Sequence, residues 1–213
     1  MTINTLGVLG AGQMGGGIAQ VAATAGISVK VFDSFPGAVD KCKAVHKKSL
    51  GKLVEKGKLQ QADADAAAAR ISYVDSLDNL TGCDWVVEAV VEDAKVKAEL
   101  FSKLAAMYPD EKVVLASNTS SISITQIATS AGKTASRVVG MHFFNPVPLM
   151  QLVEVIPGIQ TSLDVVERTI ALATKMGKTP LKANDRAGFV SNRVLMPMIN
   201  EAFYAWMEGV AEP

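Results

Sequence analysis

A glycine-rich turn near the start of the chain limits the possible folds more than any other feature. Gly10, Gly12 and Gly15 fit the pattern G-x-G-x-x-G. A short apolar run, Leu6–Leu9, precedes the turn, and a helix-like stretch follows it. A turn of this kind between a strand and a helix is typical of the first βαβ unit of a parallel sheet.

Strand-like and helix-like segments alternate along the rest of the chain, which predicts an α/β fold with a doubly wound, mostly parallel sheet. The strand-like runs are rich in β-branched residues and almost continuously apolar, which is typical of parallel strands buried on both faces. We expect strands at Leu6–Leu9, Val29–Phe32, Trp85–Val87, Val113–Ala116, Val138–Met141, Gln151–Ile156 and Thr179–Ala183. We expect helices at Met14–Ala25, Ala38–Lys56, Ala64–Arg70, Ala94–Met107, Ser123–Thr129 and Leu163–Met176.

Composition argues against several classes of function. The formal net charge is zero, with 21 basic and 21 acidic residues, so a broad basic surface for nucleic acid is not expected. No targeting peptide or membrane-spanning apolar run is visible. The two cysteines, Cys42 and Cys83, have neither a CxxC nor a zinc-ligand spacing. We therefore expect a cytoplasmic protein without a metal site, and with neither nucleic acid nor membrane as a partner.

The glycine-rich turn predicts a dinucleotide site. Gly10 would permit the tight turn, Gly12 would let a pyrophosphate approach the backbone, and Gly15 would let helix and strand pack closely. The helix that starts at Gln13 and Met14 would offer free N–H groups to the phosphates. Asp33 ends the next strand, where its carboxylate could bind ribose hydroxyls and repel the extra phosphate of NADP. We therefore expect NAD; a glycine-rich turn without a ligand is the alternative.

Two polar residues interrupt apolar strands in the second half of the chain. His142 ends the run Val138–Met141, and Glu154 lies in the middle of another apolar strand. Burying a carboxylate without a partner is unfavourable, so we expect Glu154 to pair with His142 and to orient it as a proton acceptor. The alternatives are a packed strand-end histidine and a glutamate that points to water. We expect the other histidine, His46, to lie on a solvated face of a basic helix.

A polar cluster, Ser117–Ser121, follows another predicted strand. Ligands bind at the carboxyl ends of strands in open α/β sheets, so this cluster could contact the nicotinamide ribose and a substrate. Serine and threonine also favour helix caps, and Ser121 or Ser123 could serve as one while Ser120 stays free.

The chain changes character near its end. Residues 184–188 look like a domain boundary, and a very apolar helix begins near Phe189. We expect residues 1–185 to form a Rossmann-type NAD-binding domain and residues 186–213 to be the first helix of an all-helical domain. A helix so apolar must be buried against something, either that domain, a second subunit or the sheet itself.

Five segments together resemble the L-3-hydroxyacyl-CoA dehydrogenase family, and within it the short-chain 3-hydroxybutyryl-CoA enzymes. The segments lie in the same order and spacing across the whole chain. They are the glycine-rich turn, the Ser117–Ser121 cluster, the run His142–Pro146, Glu154 and the run Gly188–Arg193. The resemblance implies NAD-dependent interconversion of an (S)-3-hydroxyacyl-CoA and a 3-oxoacyl-CoA. It also implies that several more helices follow in the family and that they form most of the contact in a homodimer.

The resemblance assigns roles to single residues. His142 falls on the general base and Glu154 on its carboxylate partner, while Ser120 and Asn192 fall on substrate-contacting positions. Positions that line the NAD site fall on Glu92, Lys97, Asn118 and Asn145. Positions that contact coenzyme A fall on Ser49 and Lys56. Two other functions stay open: a dehydrogenase of a free hydroxy or sugar acid on the same scaffold, and a non-catalytic NAD-binding module.

Overall fold

The computed structural model describes residues 3–109 and 112–212, which contain one eight-stranded sheet with helices on both faces. The order across the sheet is β3-β2-β1-β4-β5-β6-β7-β8. All neighbouring strands are parallel except β6 and β7, so the sheet is mostly parallel, as predicted. The strands are β1 (Thr5–Leu9), β2 (Ser28–Phe32), β3 (Ile71–Tyr73), β4 (Trp85–Glu88), β5 (Val114–Ser117), β6 (Val138–Phe143), β7 (Leu152–Pro157) and β8 (Thr179–Lys182).

Helices cover the sheet on two sides and create two hydrophobic cores. One core contains side chains of α1, α2, α3 and α6, and the other contains side chains of α4 and α5. The helices are α1 (Gln13–Thr24), α2 (Ala38–Glu55), α3 (Gln61–Ala69), α4 (Ala94–Met107), α5 (Ile124–Ser130), α6 (Leu163–Lys175) and α7 (Ser191–Met207). Two short 3-10 helices lie at Leu77–Leu80 and Gly132–Arg137.

The centre of the sheet explains where a ligand can enter. β1 lies between β2 and β4, and α1 and α4 pack on opposite faces. The chain therefore leaves the carboxyl ends of β1 and β4 in opposite directions and opens a crevice between them. The glycine-rich turn and the polar ends of β4, β5 and β6 all lie at this edge of the sheet.

Two differences from the sequence-based expectations have physical explanations. β3 was not predicted, because three residues with an exposed serine in the middle show too little pattern; its pairing with β2 makes it a strand. The alternative that α7 packs back on the sheet is wrong, since none of its side chains is buried. Within the described part of the chain, no helix is both long and apolar enough to cross a membrane.

Candidate active site

The glycine-rich turn requires glycine at two positions. Gly10 has a φ of 98°, and a Cβ there would lie 2.4 Å from the carbonyl oxygen of Ala89. A Cβ at Gly15 would lie 1.8 Å from the carbonyl oxygen of Gly10. A Cβ at Gly12, by contrast, would meet nothing within 4 Å. The turn is therefore closely packed on its inner side and open at Gly12, which suits a ligand that approaches the backbone.

The N-terminus of α1 fits the pyrophosphate of a dinucleotide. Its N-cap is Gly12, so no side chain caps the helix, and its first turn has no acidic residue. The N–H groups of Gln13 and Met14 and the positive end of the helix dipole therefore remain for a phosphate.

Asp33 at the end of β2 organises the same turn. One carboxylate oxygen accepts a hydrogen bond from the N–H of Ala11 at 2.7 Å, and the other accepts from the N–H of Phe35 at 2.8 Å. Asp33 also borders a cavity of about 670 Å³ together with Gly10, Gly12, Val90 and apolar side chains of α4. The cavity has the place and lining expected for the adenosine half of NAD.

A buried ion cluster lies where β4 and β5 end. Lys97 of α4 is 1% exposed, and its Nζ lies 2.6 Å from Glu88 Oε1 and 3.3 Å from Glu92 Oε2. Glu88 Oε2 accepts a hydrogen bond from the Ser117 hydroxyl at 2.6 Å, and Glu88 Oε1 accepts one from the N–H of Val90. Lys97, expected to line the NAD site, is thus enclosed and contacts Glu92, which is expected to line the same site.

Glu92 fixes the polar loop after β5. Its Oε1 accepts hydrogen bonds from the Thr119 hydroxyl at 2.6 Å, the Ser120 N–H at 2.8 Å and the Ser121 N–H at 3.1 Å. Burial raises the pKa of Glu92, but these hydrogen bonds and Lys97 outweigh burial and lower the pKa to about 2. Of the two predicted cap candidates, Ser121 and Ser123, it is Ser123 that caps α5, and Ser120 stays in the loop.

His142 and Glu154 form the predicted pair. They are register partners on β6 and β7, and His142 Nδ1 lies 2.7 Å from Glu154 Oε2. Glu154 is fully buried, so the alternative that it points to water is wrong. The ring of His142 also packs against Phe144 and Phe189, with centroids 4.5 Å and 5.9 Å away.

The second oxygen of Glu154 binds the start of α7. Oε1 accepts hydrogen bonds from the N–H of Val190 at 3.0 Å and from the N–H and hydroxyl of Ser191 at 2.8 and 3.1 Å. Burial raises the pKa of Glu154, but the bonds from His142, Ser191 and Val190 lower it below its ordinary value of 4.5. The carboxylate is therefore ionised at neutral pH.

Asn192 and Asn118 link the loops around this pair. Asn192 Nδ2 donates to the carbonyl oxygen of Ser120 at 3.3 Å, and Asn118 Oδ1 accepts from the N–H of Phe143 at 2.8 Å. His142 contacts Glu154, Glu154 binds Ser191, and the adjacent Asn192 contacts Ser120, so these residues lie together at one edge of the sheet.

A second cavity, of about 560 Å³, lies between α1, α2 and the loop that follows β6. Gly12, Gln13, Ser49 and Asn145 line it, so four predicted substrate or cofactor contacts meet there. Lys56, the C-cap of α2, is exposed and does not line this cavity.

The loop after β6 is fixed by hydrogen bonds from Lys178 and by packing against α1. Lys178 is buried, and its ammonium donates hydrogen bonds to the carbonyl oxygens of Val147 and Met150. Burial lowers the pKa of Lys178. Val147 also presses against Gly17, where a Cβ would lie 2.7 Å from the Cβ of Val147. Neither Lys178 nor Gly17 stood out in the sequence, because their roles depend on contacts between distant segments.

The expectation of a solvated His46 is wrong. His46 is 3% exposed, its Nε2 lies 2.7 Å from the Gly16 carbonyl oxygen, and its Nδ1 lies 2.7 Å from the Tyr73 hydroxyl. His46 lies among lysines in the sequence, so the segment looked solvated, although His46 itself faces α1. Cys42 and Cys83 are free and buried. Among residues 3–109 and 112–212, no group of three or more His, Cys, Asp or Glu side chains could hold a metal ion.

Comparisons with known proteins agree with this geometry. Residues 5–186 match the family model described as 3-hydroxyacyl-CoA dehydrogenase, NAD binding domain. A protein of Deinococcus radiodurans named a probable 3-hydroxybutyryl-CoA dehydrogenase is 55% identical over 207 residues, which are 97% of this chain and 73% of the relative. A 3-hydroxybutyryl-CoA dehydrogenase of Clostridioides difficile is 44% identical over 97% of this chain and 73% of its own length.

Solved structures show the same similarity. The crystal structure of (S)-3-hydroxybutyryl-CoA dehydrogenase from Ralstonia eutropha superposes with a TM-score of 0.95 at 45% identity, over 100% of this chain and 74% of that one. This chain is an NAD-dependent oxidoreductase that belongs to the 3-hydroxyacyl-CoA dehydrogenase family.

Proposed function

We propose that the chain interconverts an (S)-3-hydroxyacyl-CoA, with 3-hydroxybutyryl-CoA as the substrate, and the corresponding 3-oxoacyl-CoA. The observation that carries this proposal is the contact of Glu154 with His142 at 2.7 Å, in a site where Glu154 also binds the helix that carries Asn192. Binding of NAD alone does not require such a pair, so the pair favours a catalyst over a non-catalytic NAD-binding module.

His142 has the features of a general acid and base. The ionised Glu154 accepts from Nδ1, so the neutral imidazole carries its proton on Nδ1 and keeps a lone pair on Nε2. Nε2 would take the proton of the 3-hydroxyl in oxidation and return it in reduction. Bound NAD would accept the hydride that leaves C3, the carbon that carries this hydroxyl. Glu154 would stabilise the imidazolium that forms.

Ser120 and Asn192 would hold the reacting oxygen. Both side chains are half-buried, and the Asn192 amide already lies against the backbone of Ser120. Donors placed in advance where negative charge develops stabilise the transition state more than the ground state. We assign Glu92, Lys97, Asn118 and Asn145 to the NAD side of the site, with Lys97 acting through Glu92.

The cavity between α1 and α2 would take the coenzyme A portion of the substrate. Ser49 borders it, and the exposed Lys56 would meet phosphate groups beyond its mouth. The cavity walls are largely apolar, as the extended thioester arm of an acyl-CoA requires. A free hydroxy acid or sugar acid would leave most of this space without a contact.

We further propose that residues 1–185 are the NAD-binding domain and that residues 186–213 begin a helical domain through which the protein forms a homodimer in the cytoplasm. The exposed apolar side chains of α7 support this assignment, since a helix of this kind needs a partner surface.

Loss of NADH absorbance on addition of acetoacetyl-CoA tests the proposed function. We expect turnover with acetoacetyl-CoA, little with free acetoacetate, and a clear preference for NADH over NADPH because of Asp33. Equal turnover with the free acid would favour the hydroxy acid alternative. Tight NADH binding without any turnover would favour the non-catalytic module.

A further inference from the structure

Gln20, in the middle of α1, is a buried amide without a partner. Its side chain is 3% exposed, and it lines the cavity between α1 and α2. Within residues 3–109 and 112–212, neither the oxygen nor the nitrogen of its side-chain amide makes a hydrogen bond. Most buried polar groups have a partner, and leaving an amide without one costs free energy. Among the described residues, the fully enclosed side-chain N and O atoms without a partner are Trp85 Nε1 and Arg168 Nε, so the Gln20 amide is open to the cavity and to a ligand bound there.

The rest of the cavity wall does not explain this amide. His46 is the other buried polar side chain there, and both its ring nitrogens are engaged by Gly16 and Tyr73. Val45, Val147, Pro146 and Pro148 also line the cavity, and their side chains offer no hydrogen bond.

One face of α1 borders the cavity. Gln13, Gly16, Gly17 and Gln20 follow the i, i+3, i+4, i+7 spacing of one helix face, and all four line the cavity. Gly16 and Gly17 lack side chains, which lets neighbouring side chains approach this face closely: a Cβ would lie 3.1 Å from Cys42 Sγ at Gly16 and 2.7 Å from Val147 Cβ at Gly17. A ligand bound in the cavity would meet apolar side chains and the amide of Gln20.

We propose that Gln20 is a specificity-determining residue that hydrogen-bonds an amide of the pantetheine arm of the acyl-CoA. The arm alternates apolar methylene segments with secondary amides, and a glutamine side chain can donate to such a carbonyl or accept from its N–H. This inference rests on the proposed function, because it places the thioester arm in the cavity that Ser49 and Asn145 border.

Gln20→Met tests this role, because methionine has a similar volume and lacks the amide. The KM for acetoacetyl-CoA should rise about three- to tenfold, as expected when one hydrogen bond is lost. The KM for NADH and the kcat should not change. Thermal stability should not fall, since the amide makes no hydrogen bond to a described residue that the substitution would remove. Gln126→Met is the matched control, because Gln126 is an exposed glutamine of α5 outside the cavity.

Substrates with shortened arms separate the proposal from a merely structural role. Acetoacetyl-pantetheine keeps both amides, and an acetoacetyl ethyl thioester has none. The kcat/KM of the wild type divided by that of Gln20→Met should be about three to ten with acetoacetyl-CoA and with acetoacetyl-pantetheine. The same ratio should be about one with the ethyl thioester. Gln20→Asn, which withdraws the amide by one carbon, should give the same pattern and serves if the methionine variant does not fold.

Three results would overturn the inference. A ratio that is equal for all three thioesters would mean that Gln20 does not touch the arm. A rise in the KM for NADH alone would mean that the Gln20 amide binds the cofactor. An unchanged KM and kcat would mean that the amide binds only ordered water. Failure of the wild-type protein to reduce acetoacetyl-CoA would instead contradict the proposed function itself.

Discussion

A single carboxylate, Glu154, connects the proposed base to the start of α7. One oxygen contacts His142 Nδ1, and the other accepts three hydrogen bonds from Val190 and Ser191. Since Asn192 follows directly, the orientation of the imidazole and the position of the substrate-side amide depend on the same group. Any change that moves α7 should therefore also disturb His142.

His46 should make stability depend on pH. Burial lowers the pKa of His46 below its ordinary 6.5, so the folded protein keeps the imidazole neutral where the unfolded chain takes up a proton. The stability that His46 contributes is therefore complete above the unfolded pKa and declines as the pH falls below it. The melting temperature should fall between about pH 7.5 and about pH 5.5, and it should fall less in His46→Gln. Parallel declines in the two proteins would contradict this assignment.

At the scale of single residues, the sequence indicated a functional role where the polarity of a residue conflicts with its surroundings. His142 and Glu154 interrupt apolar strands, so their pairing could be expected before the register was known. His46, Gln20 and Lys178 were not recognised, because each lies in an ordinary-looking segment and is buried by a distant element. Burial of that kind is set by tertiary packing, which local patterns do not report.

At the scale of elements, the Lys97 cluster joins α4 to the ends of β4 and β5. Lys97→Met would leave Glu88 buried with no cation beside it, and we expect a loss of about 3–5 kcal/mol in the free energy of unfolding. The double variant Glu88→Gln/Lys97→Met should recover part of that loss, because no buried charge then lacks a partner. Urea denaturation measures both values. A double variant less stable than Lys97→Met would show that Lys97 does not stabilise the protein through its ion pair with Glu88.

The contact between α1 and the loop after β6 depends on Gly17. A Cβ at this position would lie 2.7 Å from Val147, so Gly17→Ala should lower stability by about 1–3 kcal/mol and raise the KM for acetoacetyl-CoA. Gly51→Ala is the control, since Gly51 lies inside α2 with open space around its Cβ position. That substitution should stabilise the protein by about 0.5–1 kcal/mol. Equal effects on unfolding would contradict the proposed packing.

Most elements were predictable because each carries its own signal. Continuous apolar runs marked the central strands, and α4 was predicted with the bounds that the structure shows, Ala94–Met107. β3 and the two 3-10 helices were not predicted, since they are too short to show a period and are fixed by their neighbours.

At the scale of the whole molecule, α7 presents an apolar surface that no described residue covers. Ile199 and Phe203 lie one turn apart on this helix and are 40% and 59% exposed. The chain should therefore self-associate, and Ile199→Lys/Phe203→Lys should reduce that association in light scattering. Ile159→Lys is the control, because Ile159 is an exposed apolar residue in the loop between β7 and α6, outside α7. Association that persists unchanged in the α7 variant would place the contact elsewhere.

The sequence predicted the α/β architecture and the edge of the sheet that carries the site, because the order of strands, helices and polar strand ends follows from the chain. It did not predict the cavity beside α1, since that cavity depends on how α1, α2 and the loop after β6 pack together.

The central claim is that His142, oriented by Glu154, moves the proton while NAD exchanges the hydride. The most direct test is the kcat for acetoacetyl-CoA reduction by His142→Gln, measured beside the affinity of the same variant for NADH. We expect the kcat to fall about 10²–10⁴-fold while the affinity for NADH stays at the wild-type value. A folded variant that binds NADH and turns over at nearly the wild-type rate would contradict the claim.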